Sequence, residues 1–93
     1  MDDIITANVK AMMDKYENDL IEACITFDIE KLKAHFDKYQ KQGYFPACFT
    51  LPSDSVLEIT MRKIVFNSDR APADKQAEAG TWLIENGYDL SLD

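Results

Sequence analysis

The residues best suited to chemistry in this chain are one histidine and two cysteines. His35 is the only histidine, and Cys24 and Cys48 are the only cysteines. A zinc site needs spacings such as Cys-x-x-Cys or His-x-x-His, and a nucleophilic cysteine needs a nearby base. The sequence contains neither arrangement. We therefore interpret His35 as a partly exposed helix residue, Cys24 as a small buried hydrophobic residue and Cys48 as a thiol in an irregular segment.

Two other kinds of site can be judged from spacing. Acidic side chains crowd three turns of the first predicted helix, at Asp14, Glu17, Asp19 and Glu22. A carboxylate metal site in a helical bundle also carries a Glu-x-x-His pair, which is missing, so we interpret these acids as a solvated helix face. The three glycines do not form a phosphate-binding loop. The sequence thus predicts no catalytic residue, no metal and no cofactor.

Charge narrows the class of partner. Seventeen acidic and ten basic residues give a net charge of −7. A surface of that sign repels nucleic-acid phosphates and anionic lipid, so we expect neither as a direct partner. No apolar run reaches the roughly 18 residues of a membrane span, and no signal peptide is evident. Two cysteines do not make a disulfide framework, so we expect a reducing, cytoplasmic setting.

Apolar residues recur every three to four positions, a spacing typical of helices. Asp28 and Ser53 are suitable N-caps, with Ser55 to Glu58 as an alternative capping box, and Gly43 and Gly87 follow the last turns of two helices. The pattern predicts four helices, at residues 4–26, at 29–42, from after Pro52 to 67–69, and from Pro72 to Asn86.

Such a pattern predicts a single all-α domain over residues 1–93, with helices paired in two antiparallel hairpins. The fourth helix directs Ala79, Trp82, Leu83 and Gln76 inward, and the alternative for Trp82 is a position in an interface. Met12 and Met13 are adjacent and cannot both face the same way, so we expect one of them in the core.

Two stretches resemble a known repeat. Trp82 to Leu90 resembles the end of an ankyrin repeat, where a glycine closes the outer helix, and Leu20 to Leu32 resembles the inner helix, turn and outer helix. The resemblance implies two degenerate units at residues 20–43 and 56–90, with an insertion at 43–54. It departs from the family in lacking the Thr-Pro-Leu-His signature and in having Phe27 at a position that is usually glycine. A plain four-helix bundle is the competing fold.

The segment between the second and third helices is the best functional candidate. It holds three aromatic residues on a proline-stiffened loop, which gives contact area at low entropic cost. We predict a protein–protein interaction module that binds through this loop and an exposed helix face. The alternative is that the loop packs against the helices and completes the small core. The predicted partner-binding residues are Tyr44, Phe45, Phe49 and Leu51.

A second function is compatible with the charge. A small acidic helical chain could act as a decoy that occupies the basic groove of a nucleic-acid-binding protein, and its binding would weaken steeply with salt. An enzyme is not expected, because four short helices rarely leave a pocket with converging polar groups. A homodimer built on the first helix is compatible with either binding function.

Overall fold

The chain folds into four helices. The computed structural model describes the backbone of residues 2–46 and 48–92 and the side chains of residues 7–46 and 48–92. The described residues contain no strand, as the helical spacing predicts. The helices are α1 (Asp2–Cys24), α2 (Ile29–Lys41), α3 (Asp54–Asn67) and α4 (Ala73–Glu85).

The ends of the helices follow from local chemistry. Asp28 caps α2 by accepting from the amide of Glu30, and Ser53 caps α3 by accepting from the amide of Val56. These bonds satisfy amides that have no partner inside a helix. The alternative capping box from Ser55 is wrong, because that serine already lies inside α3. Gly43 and Gly87 have φ of +85° and +80°, the left-handed conformation in which glycine commonly ends a helix.

The core lies where both hairpins meet. α1 pairs with α2, α3 pairs with α4, and α3 also contacts α1 and α2. Cys24, Leu32, Met61 and Leu83 are fully buried there, which confirms the prediction for Cys24 and Leu83. The remaining buried apolar side chains are Ile21, Tyr39, Leu57, Val65, Ala71 and Ala79.

Trp82 lies at the edge of this core and is partly buried, which agrees only in part with its predicted inward position. Its ring stacks on Tyr88 with 6.0 Å between centroids, and the guanidinium of Arg62 lies 5.0 Å from it on the core side of α3. Gly80, two residues earlier on α4, carries no side chain and lets the Phe66 ring of α3 approach its backbone closely.

The two helices of the first hairpin differ in length. α1 has 23 residues and α2 has 13, which correspond to about 34 Å and about 20 Å. Near its end α2 contacts only the second half of α1, where Lys38 forms an ion pair with Asp19 and Tyr39 contacts Tyr16. The front of α1 extends past its partner, and the molecule measures 49 × 30 × 22 Å. We call residues 7–13 the overhang.

Candidate functional site

Aromatic rings from three segments meet where α1 crosses the end of α2. Tyr16 of α1 is central: its ring stacks on Tyr44 with 5.7 Å between centroids and an interplanar angle of 12°. The same ring makes an edge contact with Tyr39 of α2 at 4.8 Å. We call this group the aromatic cluster; its members are Tyr16, His35, Phe36, Tyr39, Tyr44, Phe45 and Phe49.

The loop of residues 43–51, here called the aromatic loop, folds back onto α2. Beyond Gly43, the amide of Tyr44 donates to the carbonyl of Tyr39 at 3.1 Å, which turns the chain. The Phe49 amide donates to the Pro46 carbonyl at 3.0 Å, and the Phe45 and Phe49 rings stack at 4.9 Å. The loop is therefore held by its own contacts and by α2 rather than left free in solvent.

Three of the four predicted partner-binding residues lie together. Tyr44, Phe45 and Phe49 belong to the aromatic cluster; Phe45 and Phe49 are half-buried, and 36% of Tyr44 is exposed. Leu51, 39% exposed, lies beyond the cluster toward α3 and makes none of its ring contacts. The loop thus packs against α1 and α2 through its inner faces, while its outer faces meet solvent.

The overhang presents an apolar stripe to solvent. Val9, Met12 and Met13 are 49%, 52% and 57% exposed. The prediction that one of the two methionines lies in the core is wrong, because α2 is too short to cover this part of α1. Met12 and Met13 follow Val9 at three and four positions, so each methionine lies next to Val9 on the helix surface and the three side chains form one contiguous stripe. Apolar side chains grouped in this way on a surface are typical of binding sites.

A groove joins the overhang to the aromatic loop. It holds about 440 Å³, and Glu17 is the only charged residue that lines it. Its other walls are Met13, Tyr16, Leu20, Tyr44 and Phe45. The α1 residues of this groove were not among the predicted partner-binding residues. The available signal was the difference between the predicted lengths of the first and second helices.

His35 lies under this surface and is buried, with 5% of its area exposed, so its predicted position as a partly exposed helix residue is wrong. Its ring centroid lies 4.9 Å from that of Tyr16 and 4.8 Å from that of Tyr39. Its Nε2 atom has no hydrogen-bond partner among the residues that the structure describes. Burial lowers the pKa of His35 below its usual 6.5.

Asp19 connects the aromatic cluster to the polar surface of α1. Its carboxylate accepts a hydrogen bond from the Tyr39 hydroxyl and lies 3.4 Å from the Lys38 ammonium. The Tyr39 hydrogen bond lowers the pKa of Asp19, and Lys38 adds to that effect. The same hydrogen bond raises the pKa of Tyr39 to about 12. The polar end of Tyr39 is therefore satisfied while its ring stays in the cluster.

Two other acids of α1, Asp14 and Glu17, face the turn between α3 and α4. Arg70, in the turn between α3 and α4, lies 3.2 Å from Asp14 and 3.0 Å from Glu17. The Arg70 guanidinium also donates to the carbonyl of Asp14 and the side chain of Asn18. Histidine, cysteine and acidic side chains of the described residues form no group of three that could hold a metal ion. None of the described helices is both long and apolar enough to cross a membrane.

Comparisons with known proteins give no relative. The chain matches no protein-family model, and no curated protein or solved structure shows significant similarity to it. The ankyrin-like resemblance stays a prediction, and the function must be argued from the surface itself.

Proposed function

We propose that this chain is a protein–protein interaction module and that it binds through one surface formed by the overhang, the groove and the aromatic loop. The observation that carries the proposal is the exposed stripe of Val9, Met12 and Met13, which continues into a groove walled by Tyr16, Tyr44 and Phe45. Aromatic and methionine side chains are enriched at protein interfaces. This is a binding role and not a catalytic one.

The shape of the surface indicates what kind of segment binds. The exposed side chains of α1 recur at intervals of three and four, which is the spacing that a second helix packs against. We propose that the partner presents a helix with an apolar stripe, laid along the front of α1 with a side chain in the groove. A net charge of −7 favours a partner with basic residues around that stripe, because opposite charge accelerates association.

Affinity capture with matched variants tests this proposal. Met13→Ser and Phe45→Ala remove one apolar anchor from each half of the surface. Ile84→Ser is the control, because Ile84 is 64% exposed and lies on α4 outside the groove. We expect proteins retained by the wild type and by Ile84→Ser to be lost from both surface variants. A photoreactive residue at position 13 should cross-link to the same proteins. Identical captured proteins for all four chains would contradict the proposal.

Light scattering of the purified chain shows whether the partner is a second copy. If the chain is a dimer that Met13→Ser dissociates and Ile84→Ser does not, the helix in the groove is α1 of another molecule. If the chain is a monomer, the partner is a different protein. Circular dichroism of each variant confirms that the helices are intact before binding is compared.

The acidic decoy is the alternative prediction. Asp14 and Glu17 are in ion pairs with Arg70, and Asp19 is in an ion pair with Lys38, so part of the negative charge of α1 is already compensated within the molecule. A decoy would lose most of its affinity between low and physiological salt, whereas an apolar interface would not. The salt dependence of capture therefore separates the two functions.

A further inference from the structure

We propose that His35 makes the binding surface sensitive to acid: a proton on its buried ring releases the aromatic loop from α1 and α2. The inference rests on the proposed function, since the loop forms one wall of the groove. It starts from the position of the ring, which is buried beneath Tyr16 and Tyr39 and therefore supports the residues on which the loop packs.

The neutral ring suits its surroundings and the charged ring does not. Nε2 of His35 is buried and has no acceptor within hydrogen-bond distance among the described residues. A protonated imidazole has a donor on both nitrogens, so protonation would place an unpaired N–H and a positive charge among aromatic rings. Moving the ring into water satisfies both, and this movement removes the contacts that the imidazole makes with Tyr16 and Tyr39.

Charged and titratable groups surround the ring on each element packed against it. On α2, Lys38 disfavours the protonated form, while Asp19 on α1 favours it. The Asp19 carboxylate already interacts with Lys38 and the Tyr39 hydroxyl. These contacts reduce the electrostatic stabilisation that Asp19 can give to a protonated imidazole. The groups that face His35 from its surroundings are Tyr16, Asp19 and Glu22 of α1, Lys31, Lys38 and Tyr39 of α2, and, through Tyr16 and Tyr39, Tyr44 of the loop.

Loss of the His35 contacts would weaken the packing of the aromatic loop, because the loop packs on the rings that His35 contacts. Tyr44 stacks on Tyr16 and makes an edge contact with Tyr39 at 4.8 Å. Both of these tyrosine rings also contact the imidazole of His35. Phe45 contacts Tyr16 at 6.3 Å and Phe36 at 5.7 Å. When Tyr16 moves away from α2, the groove loses the wall that Tyr44 and Phe45 provide.

The chain offers clean reporters for a test on the free protein. His35 is the only histidine, so its imidazole resonance in NMR reports its protonation without assignment by mutation. Trp82 is the only tryptophan and lies between Arg62 and Tyr88, so its emission reports the second hairpin. Three of the four tyrosines, Tyr16, Tyr39 and Tyr44, belong to the aromatic cluster, so the tyrosine band of the near-ultraviolet circular dichroism spectrum reports mainly this cluster.

We expect the tyrosine band to weaken between about pH 7.5 and about pH 5 with the midpoint of the His35 resonance, while Trp82 emission stays constant. His35→Phe, and His35→Gln as a second neutral replacement, should keep the band over that range. An unchanged wild-type band, or an equal loss in both variants, would overturn the inference. A Trp82 change with the same midpoint would also overturn it, because the whole domain would then be unfolding.

Capture of partners is measured separately at both pH values. If acid releases the loop but Met13→Ser binds like the wild type, the acid response stands and the proposed function fails. If the tyrosine band does not respond to acid but Met13→Ser loses its partners, the proposed function stands and the acid response fails.

Discussion

The guanidinium carbon of Arg62 lies 3.9 Å from the centroid of the Phe27 ring. Phe27 is the one non-glycine residue with a positive φ, 56°, among the described residues, a conformation that costs a side-chain-bearing residue about 1–3 kcal/mol. On its other side Arg62 faces Trp82 at 5.0 Å, and its charge is paired with Glu58 at 3.1 Å. Arg62 therefore joins the turn of the first hairpin to the second.

Replacing Arg62 should weaken the fold. Its side chain is only 13% exposed, so Arg62→Ala should lower the free energy of unfolding by about 2 kcal/mol through lost cation–π contacts. Arg62→Lys keeps the charge but loses the flat stacking surface, and it should recover less than half of the loss. Urea denaturation, with Phe27→Leu and the double variant, should give a coupling energy of about 1 kcal/mol. Additive effects of Arg62→Ala and Phe27→Leu would show that the two side chains act independently.

Replacing Gly80 with alanine should destabilise the domain, although alanine normally favours a helix more than glycine does. Glycine to alanine inside a helix stabilises by about 1 kcal/mol, but a Cβ at position 80 would lie 2.8 Å and 2.9 Å from two atoms of the Phe66 ring. Overpacking costs about 1–3 kcal/mol, so Gly80→Ala should destabilise the domain by about 1 kcal/mol. In a Phe66→Leu background the same substitution should become stabilising. Thermal unfolding of the four chains measures this, and the same sign in both backgrounds would refute the explanation.

Asp19 should contribute to stability in a pH range separate from that of His35. Its pKa in the folded chain is lowered from 3.8, so its contribution is present above that value and is lost as the pH falls through its folded pKa. Asp19→Asn should reduce stability at neutral pH and flatten the loss below about pH 4. Asp37→Asn is the control, because it removes only a solvent-exposed pair with Lys41. Melting temperatures followed against pH should differ between these variants, and parallel curves would argue against a role for Asp19.

The two cysteines should react very differently. Burial raises the pKa of Cys24 to about 12, whereas the Cys48 side chain is exposed in the aromatic loop. Only the thiolate reacts with disulfide reagents, so the native chain should titrate rapidly as one thiol and the denatured chain as two. The Cys48→Ser variant should show almost no fast reaction. Two equally fast thiols in the native chain would mean that the α1–α2 contact opens readily.

Much of the fold could be predicted because it depends on local chemistry. Periodicity indicated the four helices, and Asp28, Ser53, Gly43 and Gly87 marked their ends through hydrogen bonds and backbone conformations that a few neighbouring residues determine.

The errors concern how far one helix covers another. Periodicity identifies the apolar side of α1 but not whether a neighbour lies against it, so Met12 and Met13 were assigned wrongly. His35 was misplaced for the opposite reason, since its burial depends on Tyr16 crossing α2 at that level. The aromatic loop was recognised from its composition alone, and its partners on α1 required the three-dimensional arrangement.

Because α1 is longer than α2, this one continuous helix has two parts: a rear part that packs against α2 and a front part that extends past it. In the rear part, Tyr16, Ile21 and Cys24 pack against other side chains and are constrained by folding, whereas Val9, Met12 and Met13 at the front are 49–57% exposed. Descendants of this chain can therefore exchange the exposed side chains at the front of α1 while inheriting an unaltered scaffold.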